Sequence, residues 1–316
     1  MSLTAIDLFC GCGGLTRGLE AAGFDILAGL DSWKAAIEVY AANNPGHPSY
    51  QHDLSDEEAT FDLVNPFKPF LIAGGPPCQD FSSAGTRTEG ARADLTVKYA
   101  RLVARVRPQA FIMENVERAA LSEAYKIATD IVRDAGYGVS RRVLDASRCG
   151  VPQKRKRLFL VGMLGEADGF LDARLDECLG KPVTTVRSYM GNEIGFEHYY
   201  RHPRSYQRRG IYSIDEPSAT IRGVNRPMPS TYKMHPNDTA DPSEVDVPAL
   251  SFRERARIQT FPKNYKWPDM VAKGVAEQMI GNAVPVELAS YVGRQLMAHI
   301  EASGAGLGQS FLEAAE

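Results

Sequence analysis

Short apolar runs punctuate the first 165 residues at strand length: DLF, DILAGL, FLIAGG, QAFIMEN and RLFLVG. Between them lie stretches with helical spacing over 14–22, 33–42, 95–106 and 121–134. In the last of these, Leu121, Tyr125, Ala128 and Val132 recur along one face. Strand and helix alternating in this way predict an α/β fold, a mostly parallel sheet with helices on both faces. Near residue 165 the texture changes. From 166 to 249 the chain turns rich in Pro, Gly, Arg and Tyr with weak periodicity, which predicts a small irregular domain. After Pro248 helical order returns. SFRERARIQ opens on a Ser251 cap with Glu254 three residues on, a capping-box pattern. Pro285 suits the first turn of a final helix in which Leu288, Val292, Leu296 and Ile300 step along one face. The expected domains are therefore 1–165 with 250–302, then 166–249, with a loose tail over 303–316.

Composition adds bounds. Hydrophobic residues make up 44% and charged residues 24% of the 316, values of a folded globular chain. No apolar run has membrane-span length and no leader-like segment opens the chain, so no membrane association is expected. Five scattered cysteines are too few for a disulfide framework, and a reducing, cytoplasmic setting fits them. The net charge is −3, yet it is segregated. Seven basic residues face one acid over 141–157, and seven face two over 199–235. Such a basic face on an otherwise acidic chain suits a phosphate backbone, though a solvated surface would read the same way.

Four segments carry candidate chemistry. DLFCGCGG puts glycines 11, 13 and 14 straight after the first strand, where the backbone can turn sharply and approach a ligand. The spacing is not GxGxxG, so a pyrophosphate is not the obvious guest. Asp31 follows the second strand, where an acid holds ribose hydroxyls, and Asp53 could take an exocyclic amine. GGPPCQDFSSAG delivers Cys78 to the crevice outside the sheet on a proline-stiffened approach, as a nucleophile or as a buried inert thiol. FIMENVE ends another strand with Glu114, a carboxylate aimed at the same crevice. VPQKRKRLFLVG adds Arg155 and Arg157, which at strand periodicity share a face. Cys10 and Cys12 lack the partner pair a zinc site needs, and the six histidines form no ligand pattern, so no metal is expected.

These blocks, in this order, resemble the DNA (cytosine-5) methyltransferases of prokaryotic restriction-modification systems. DLFCGCGGLTRGLEAAGF is similar to the family's first motif, GGPPCQDFSSAG to its fourth and MENV to its sixth. CGVPQKRKRLFLVG is similar to the eighth, RERARIQTFP to the ninth and GNAVP to the tenth. The resemblance covers nearly everything outside 166–249. It implies a Rossmann-like class I fold dependent on S-adenosylmethionine, with 166–249 as a target-recognition domain inserting loops into double-stranded DNA. It implies that Cys78 adds to carbon 6 of a flipped cytosine while Glu114 assists at ring nitrogen 3. Arg155 would brace the cytosine carbonyl, and Arg157 would position the nucleophile loop. Phe9, Gly11, Cys12 and Gly14 would line the donor, with Asp31 on the ribose and Asp53 at the adenine amine. Gly75, Pro77, Leu95, Asn282 and Val284 would complete that pocket. Ser82, Arg92 and Thr220 match positions near the flipped nucleotide, and Arg208, Arg222 and Arg226 are candidates for reading guanine edges.

Two departures stand out. Ser32 occupies the place of the aromatic residue that often follows the second-motif acid, with Trp33 one position later. GARADL replaces the usual acid-proline before Arg92. A same-fold transfer-RNA enzyme, a non-catalytic DNA-binding homologue and a donor other than methyl are the competing readings. A CFT run expected of the RNA subfamily is missing around Cys178, the one cysteine of 166–249. A monomer is expected, with a cognate restriction endonuclease as a functional partner.

Overall fold

The computed structural model describes residues 3–77, 94–203, 205, 207–267 and 272–304. The strands of the main sheet are β1 (Thr4–Leu8), β2 (Asp25–Asp31), β3 (Ser49–Gln51), β4 (Leu71–Gly74), β5 (Ala110–Val116), β6 (Tyr137–Asp145) and, after the two-residue β7 (Gln153–Lys154), β8 (Lys156–Leu164). Their order is β3-β2-β1-β4-β5-β8-β6. Pairing is parallel from β3 through β5, and β8 alone runs antiparallel to both of its neighbours. The mostly parallel sheet expected from the alternation is thus present, with β3 and β6 added. β6 hides from a hydrophobic count because YGVSRRVLD carries Arg141 and Arg142, and Arg142 is neutralised by Asp172 and Asp176.

Helices cover both faces. On one side α1 (Gly14–Ala21), α10 (Val286–Ser303) and α6 (Asp172–Asp176) pack on Ala5, Ala73, Ile112 and Val161. On the other side α3 (Glu57–Val64), α4 (Asp94–Val106) and α5 (Glu123–Asp134) cover Ile6, Leu30, Ile72, Phe111 and Leu160. The faces follow from strand alternation: neighbours Ala5 and Ile6 point into opposite cores. Leu171, Leu175 and Cys178, shortly beyond residue 165, also pack into the sheet core beside α10.

A third core ties α2 (Lys34–Asn43) to the segment after 180 and to the C-terminal helices. There Val39 and Cys12 meet Val186, α7 (Val186–Met190), Tyr199, Ile221, Ile258 and Met279. The irregular segment holds β9 (His198–Tyr200) paired antiparallel with β10 (Ile211–Ser213). β11 (Ser218–Ala219) leaves this segment and pairs parallel with β7. The Ser251–Glu254 capping box forms at the start of α8 (Phe252–Ile258), with both reciprocal hydrogen bonds present. α9 (Lys273–Asn282) was not anticipated. Pro285 caps α10 from just outside its first turn, and Leu288, Val292, Leu296 and Ile300 are buried as the spacing requires. Among the described residues no helix is long and apolar enough to cross a membrane, and no His, Cys, Asp and Glu cluster is placed to hold a metal ion.

Candidate active site

A cleft of about 490 Å³ opens at the carboxyl edge of β1, β2, β4 and β5. Its walls come from distant parts of the chain. The turn after β1, the Ser32–Trp33 step after β2 and the Gly75–Pro77 run after β4 form one side, and the C-terminal end of α9 with the Ala283–Val284 link to α10 forms the other. This position, outside the carboxyl ends of parallel strands, is where open α/β sheets bind ligands.

The turn is built by conformation. Phe9 has φ +59°, Gly11 φ +54° and Gly13 φ +89°. Only glycine holds such angles without strain, so Phe9 stores some at the mouth of the site. Gly14 answers a different need: a Cβ there would lie 2.3 Å from the Val284 carbonyl oxygen. The turn is pinned from three directions. Asp31 Oδ2 accepts the Gly11 N–H at 2.8 Å, Tyr265 donates its hydroxyl to the Cys12 carbonyl, and the Asp31 Oδ1 accepts the Trp33 N–H at 2.8 Å. Burial pushes the Asp31 carboxyl up, and the backbone N–H groups it accepts hold it down.

Glu114 closes the inner end. Its Oε1 receives Arg157 Nε at 2.9 Å, with both side chains largely buried. Burial pushes the Glu114 carboxyl above its usual range, opposed by the charges of Arg157 and then Arg155. A Cβ on Gly75 would sit 3.1 Å from Glu114 Oε2, so the glycine gives the carboxylate room. Asn115, next along β5, donates to the Pro76 carbonyl at 3.2 Å and so ties the strand end to the run that leads to Cys78.

Arg155 lines the same cleft but spends its donors differently. Its guanidinium donates to the carbonyls of Ile221, Gly281 and Ala283, each at 3.1 Å. It lies at the break between β7 and β8, where strand periodicity lapses. Thr220, beside Ile221, donates its hydroxyl to the Lys154 carbonyl at 2.7 Å. The segment 218–222 is thereby fastened to β7, just before Arg155. Arg222 donates to the His202 carbonyl, whereas Arg208 and Arg226 are exposed.

The structure therefore gathers Phe9, Gly11, Cys12, Gly14, Asp31, Gly75, Pro77, Leu95, Glu114, Arg155, Arg157, Asn282 and Val284 around one cleft. Asp53 is set apart. It is exposed, accepts the Ser55 N–H at 2.9 Å and does not line the cleft. Cys78, Ser82 and Arg92 lie outside the described residues. Trp33 lines the cleft although it is displaced by one position from the place the sequence pattern reserves for an aromatic ring. Asn115, Gln278, Gln153 and Gln259 were missed. Asn115 could have been found as the neighbour of Glu114; the glutamines carry no pattern of their own.

A family model described as C-5 cytosine-specific DNA methylase matches residues 3–298. The chain is 48% identical over 299 residues to the Type II methyltransferase M.HgiDI of Herpetosiphon aurantiacus, covering 94% of this chain and 95% of that one. It is also 48% identical over 291 residues to the Type II methyltransferase M.HindV of Haemophilus influenzae, covering 92% and 95%. Among solved structures, the S. pombe Dnmt2 methyltransferase superposes with a TM-score of 0.69 at 18% identity, over 95% of this chain and 99% of that one. The Entamoeba histolytica methyltransferase EhMeth gives 0.72 at 15% identity, over 96% and 99%. At such identities these two speak for the fold alone.

Proposed function

The chain belongs to the C-5 cytosine-specific DNA methylases, and from that premise we propose that it methylates carbon 5 of a cytosine flipped out of duplex DNA, through a covalent adduct of Cys78 and with S-adenosylmethionine as donor. DNA cytosine-5 methyltransferase activity is the family's, and its Type II relatives place it with the restriction-modification enzymes. The observation that carries the finer reading is one cleft holding two chemistries. The pinned glycine turn with Asp31 lies at one end and the Glu114–Arg157 pair at the other.

The residues present fit the donor. A Cβ on Gly11 would meet nothing within 4 Å, so the turn presents bare backbone to open space. Asp31 offers a carboxylate to ribose hydroxyls, while Phe9, Trp33, Leu95 and Val284 offer apolar surface to an adenine. When bound, S-adenosylmethionine supplies an electrophilic methyl on a sulfonium. The acceptor needs activation, since carbon 5 of cytosine is a poor nucleophile. Addition of the Cys78 thiolate to carbon 6 makes the ring an enamine. Glu114, whose burial favours its protonated form, donates to ring nitrogen 3 as that electron density arrives. After transfer, loss of the carbon 5 proton expels the thiolate.

For the two arginines we propose roles other than those the resemblance implies. Arg157, on Glu114, is placed to brace the base and hold the carboxyl in register. Arg155, committed to three carbonyls, acts as scaffold. Asp53 is not among the described lining residues, but its exposed carboxylate can still accept, and it remains the proposed partner of the adenine amine. The recognition unit lies within 166–249, with Thr220, Arg208, Arg222 and Arg226 facing DNA and 1–165 with 250–302 forming the catalytic body. The enzyme works as a cytoplasmic monomer, and a restriction endonuclease acting separately on the same sequence is its functional partner. Bisulfite sequencing of plasmid from cells expressing the chain tests the reading. Protected cytosines in one short context, lost in Cys78→Ser, are expected. An unprotected plasmid would sink it and turn the search to transfer RNA.

A further inference from the structure

Ile221 is held at both of its backbone polar groups by side chains that also grip the far wall of the cleft. Its N–H donates to Gln153 Oε1 at 2.8 Å, and its carbonyl accepts from Arg155 at 3.1 Å. Gln153 Nε2 in turn donates to Gln259 Oε1 at 2.6 Å. Gln259 Nε2 then donates to the carbonyls of Ile280, at 2.5 Å, and Ala283, at 3.1 Å. Arg155 reaches the Gly281 and Ala283 carbonyls in parallel. Gln153 and Gln259 have no exposed surface, and Arg155 has 2%.

These contacts join two functions that the chain keeps far apart in sequence. At one end stand Thr220 and Arg222, flanking Ile221 in the segment proposed to meet DNA. At the other stands the turn from Ile280 to Ala283 that presents Asn282 to the donor. Ile280 to Asn282 are the last turn of α9, and Ala283 leaves the helix at φ −57° and ψ 145°, so the side chains take up carbonyls at the helix end that no further helical turn reaches. Two amides in series point the same way, each donating onward, and hydrogen bonds so aligned polarise one another in a dry interior. An arrangement of this kind cannot shift at one end without breaking a buried hydrogen bond or moving the other end.

We infer that the Gln153–Gln259 amide chain, with Arg155 beside it, couples donor binding to DNA binding, so that a filled donor wall sets the backbone of 220–222 for the duplex. Gln153 and Gln259 are positioning residues: neither belongs to the set that meets donor or base. By linkage the effect is reciprocal, and DNA must tighten donor binding by the same factor. The inference rests on the donor and DNA reading above and specifies how its two sites communicate.

The test is a binding cycle with S-adenosylhomocysteine and a duplex carrying the methylated site. Dissociation constants are measured for each ligand with and without the other. For the unaltered protein, each ligand should tighten the other by roughly tenfold, within the usual range for coupled sites. Gln259→Met keeps the volume and removes the amide. It should bind each ligand alone within about threefold of the unaltered protein, with the mutual enhancement falling towards one. Gln153→Met, cut at the next link, should do the same and serves if the first variant folds poorly. Enhancement that persists undiminished in a folded variant would overturn the inference, as would its absence in the unaltered protein. A protein that binds neither ligand would overturn the donor and DNA reading itself, an outcome distinct from the other two.

Discussion

Arg157 Nε donates to Glu114 Oε1 at 2.9 Å across the antiparallel pair β5–β8, with both side chains largely buried. The guanidinium lowers the carboxyl's pKa and burial raises it, with burial the larger effect. A carboxyl with a raised pKa keeps its proton to higher pH than an exposed one. A step that needs the protonated form must therefore slow as pH climbs through that value. The Glu114→Gln variant should lose roughly 10²–10⁴ in single-turnover rate, the usual worth of a general acid, with donor affinity unchanged. In Arg157→Ala the opposing charge is gone, so the descending limb of the pH–rate profile should move to higher pH even as the rate falls. A limb that stays in place would mean another group sets it.

The glycine turn predicts a graded series. Gly14→Ala would bring a methyl to 2.3 Å from the Val284 oxygen, a backbone atom that cannot swing aside, and so spreads the two walls of the cleft. Gly11→Ala meets no atom within 4 Å but has φ +54°, so it costs only backbone strain, about 1 kcal/mol. Gly46→Ala has neither problem and is the control. Of the two tryptophans, Trp33 lines the cleft, so a Trp267→Phe background lets its fluorescence report S-adenosylhomocysteine binding. Affinity should fall by more than tenfold for Gly14→Ala, modestly for Gly11→Ala and not at all for Gly46→Ala. Equal affinities across the series would show that the turn does not shape the donor pocket.

How much of this was legible in the sequence depended on whether the signal was local. The Ser251 capping box needs only four residues, and the α10 stripe from Leu288 to Ile300 needs only periodicity; both appear as expected. Glu114 and the glycine turn sit at strand ends, where apolar runs stop, and the sheet's geometry then brings them together. What failed depended on contacts across the chain. β6 carries arginines that look like surface until Asp172 and Asp176 are placed beside them. The two-residue rule put Arg155 and Arg157 on one face. Both do line the cleft, but the β7–β8 break sends Arg155 to Ile221, Gly281 and Ala283. Gln153 and Gln259 each stand in a quoted block, but their pairing across 106 residues exists only after folding.

On the proposed recognition face, salt dependence should separate phosphate contacts from base contacts. Arg208 and Arg226 are exposed, whereas Arg222 already donates to the His202 carbonyl and so is held in a fixed pose. A flexible exposed arginine suits a phosphate and a fixed one suits a base edge. Arg226→Ala and Arg208→Ala should weaken all duplexes alike and lower the slope of log K against log salt by about one each. Arg222→Ala should leave the slope nearer its original value and relax preference at one position of the site, with a cost of ~1–3 kcal/mol. Methylation patterns by bisulfite sequencing, beside binding titrations at three salt concentrations, check this. An unchanged site preference in Arg222→Ala would remove it from the base readers.

Beneath the donor turn, Asp7 links pH to stability. It has no exposed surface; its Oδ2 accepts the Thr16 hydroxyl at 2.6 Å, and its Oδ1 has no hydrogen-bond partner among the described residues. The Thr16 oxygen meets Tyr40 at 3.0 Å, and Tyr40 meets His47 at 2.9 Å, so the carboxyl ends a buried chain that reaches the surface. Burial pushes the Asp7 carboxyl up to about 7, opposed by the Thr16 hydrogen bond. The unfolded chain ionises this group near ~4, so between ~4 and 7 the folded state holds the extra proton. Stability from this group is thus fully present below ~4 and drains away as pH rises through 7, at up to about 1.4 kcal/mol per pH unit. Asp7→Asn keeps the acceptor for Thr16, places an amide where the carboxyl proton would sit and does not titrate. Between pH 5 and pH 8 the wild type should lose stability relative to this variant by on the order of 2 kcal/mol, read from urea midpoints at each pH. Parallel pH profiles for the two proteins would show that Asp7 keeps an ordinary pKa in the fold.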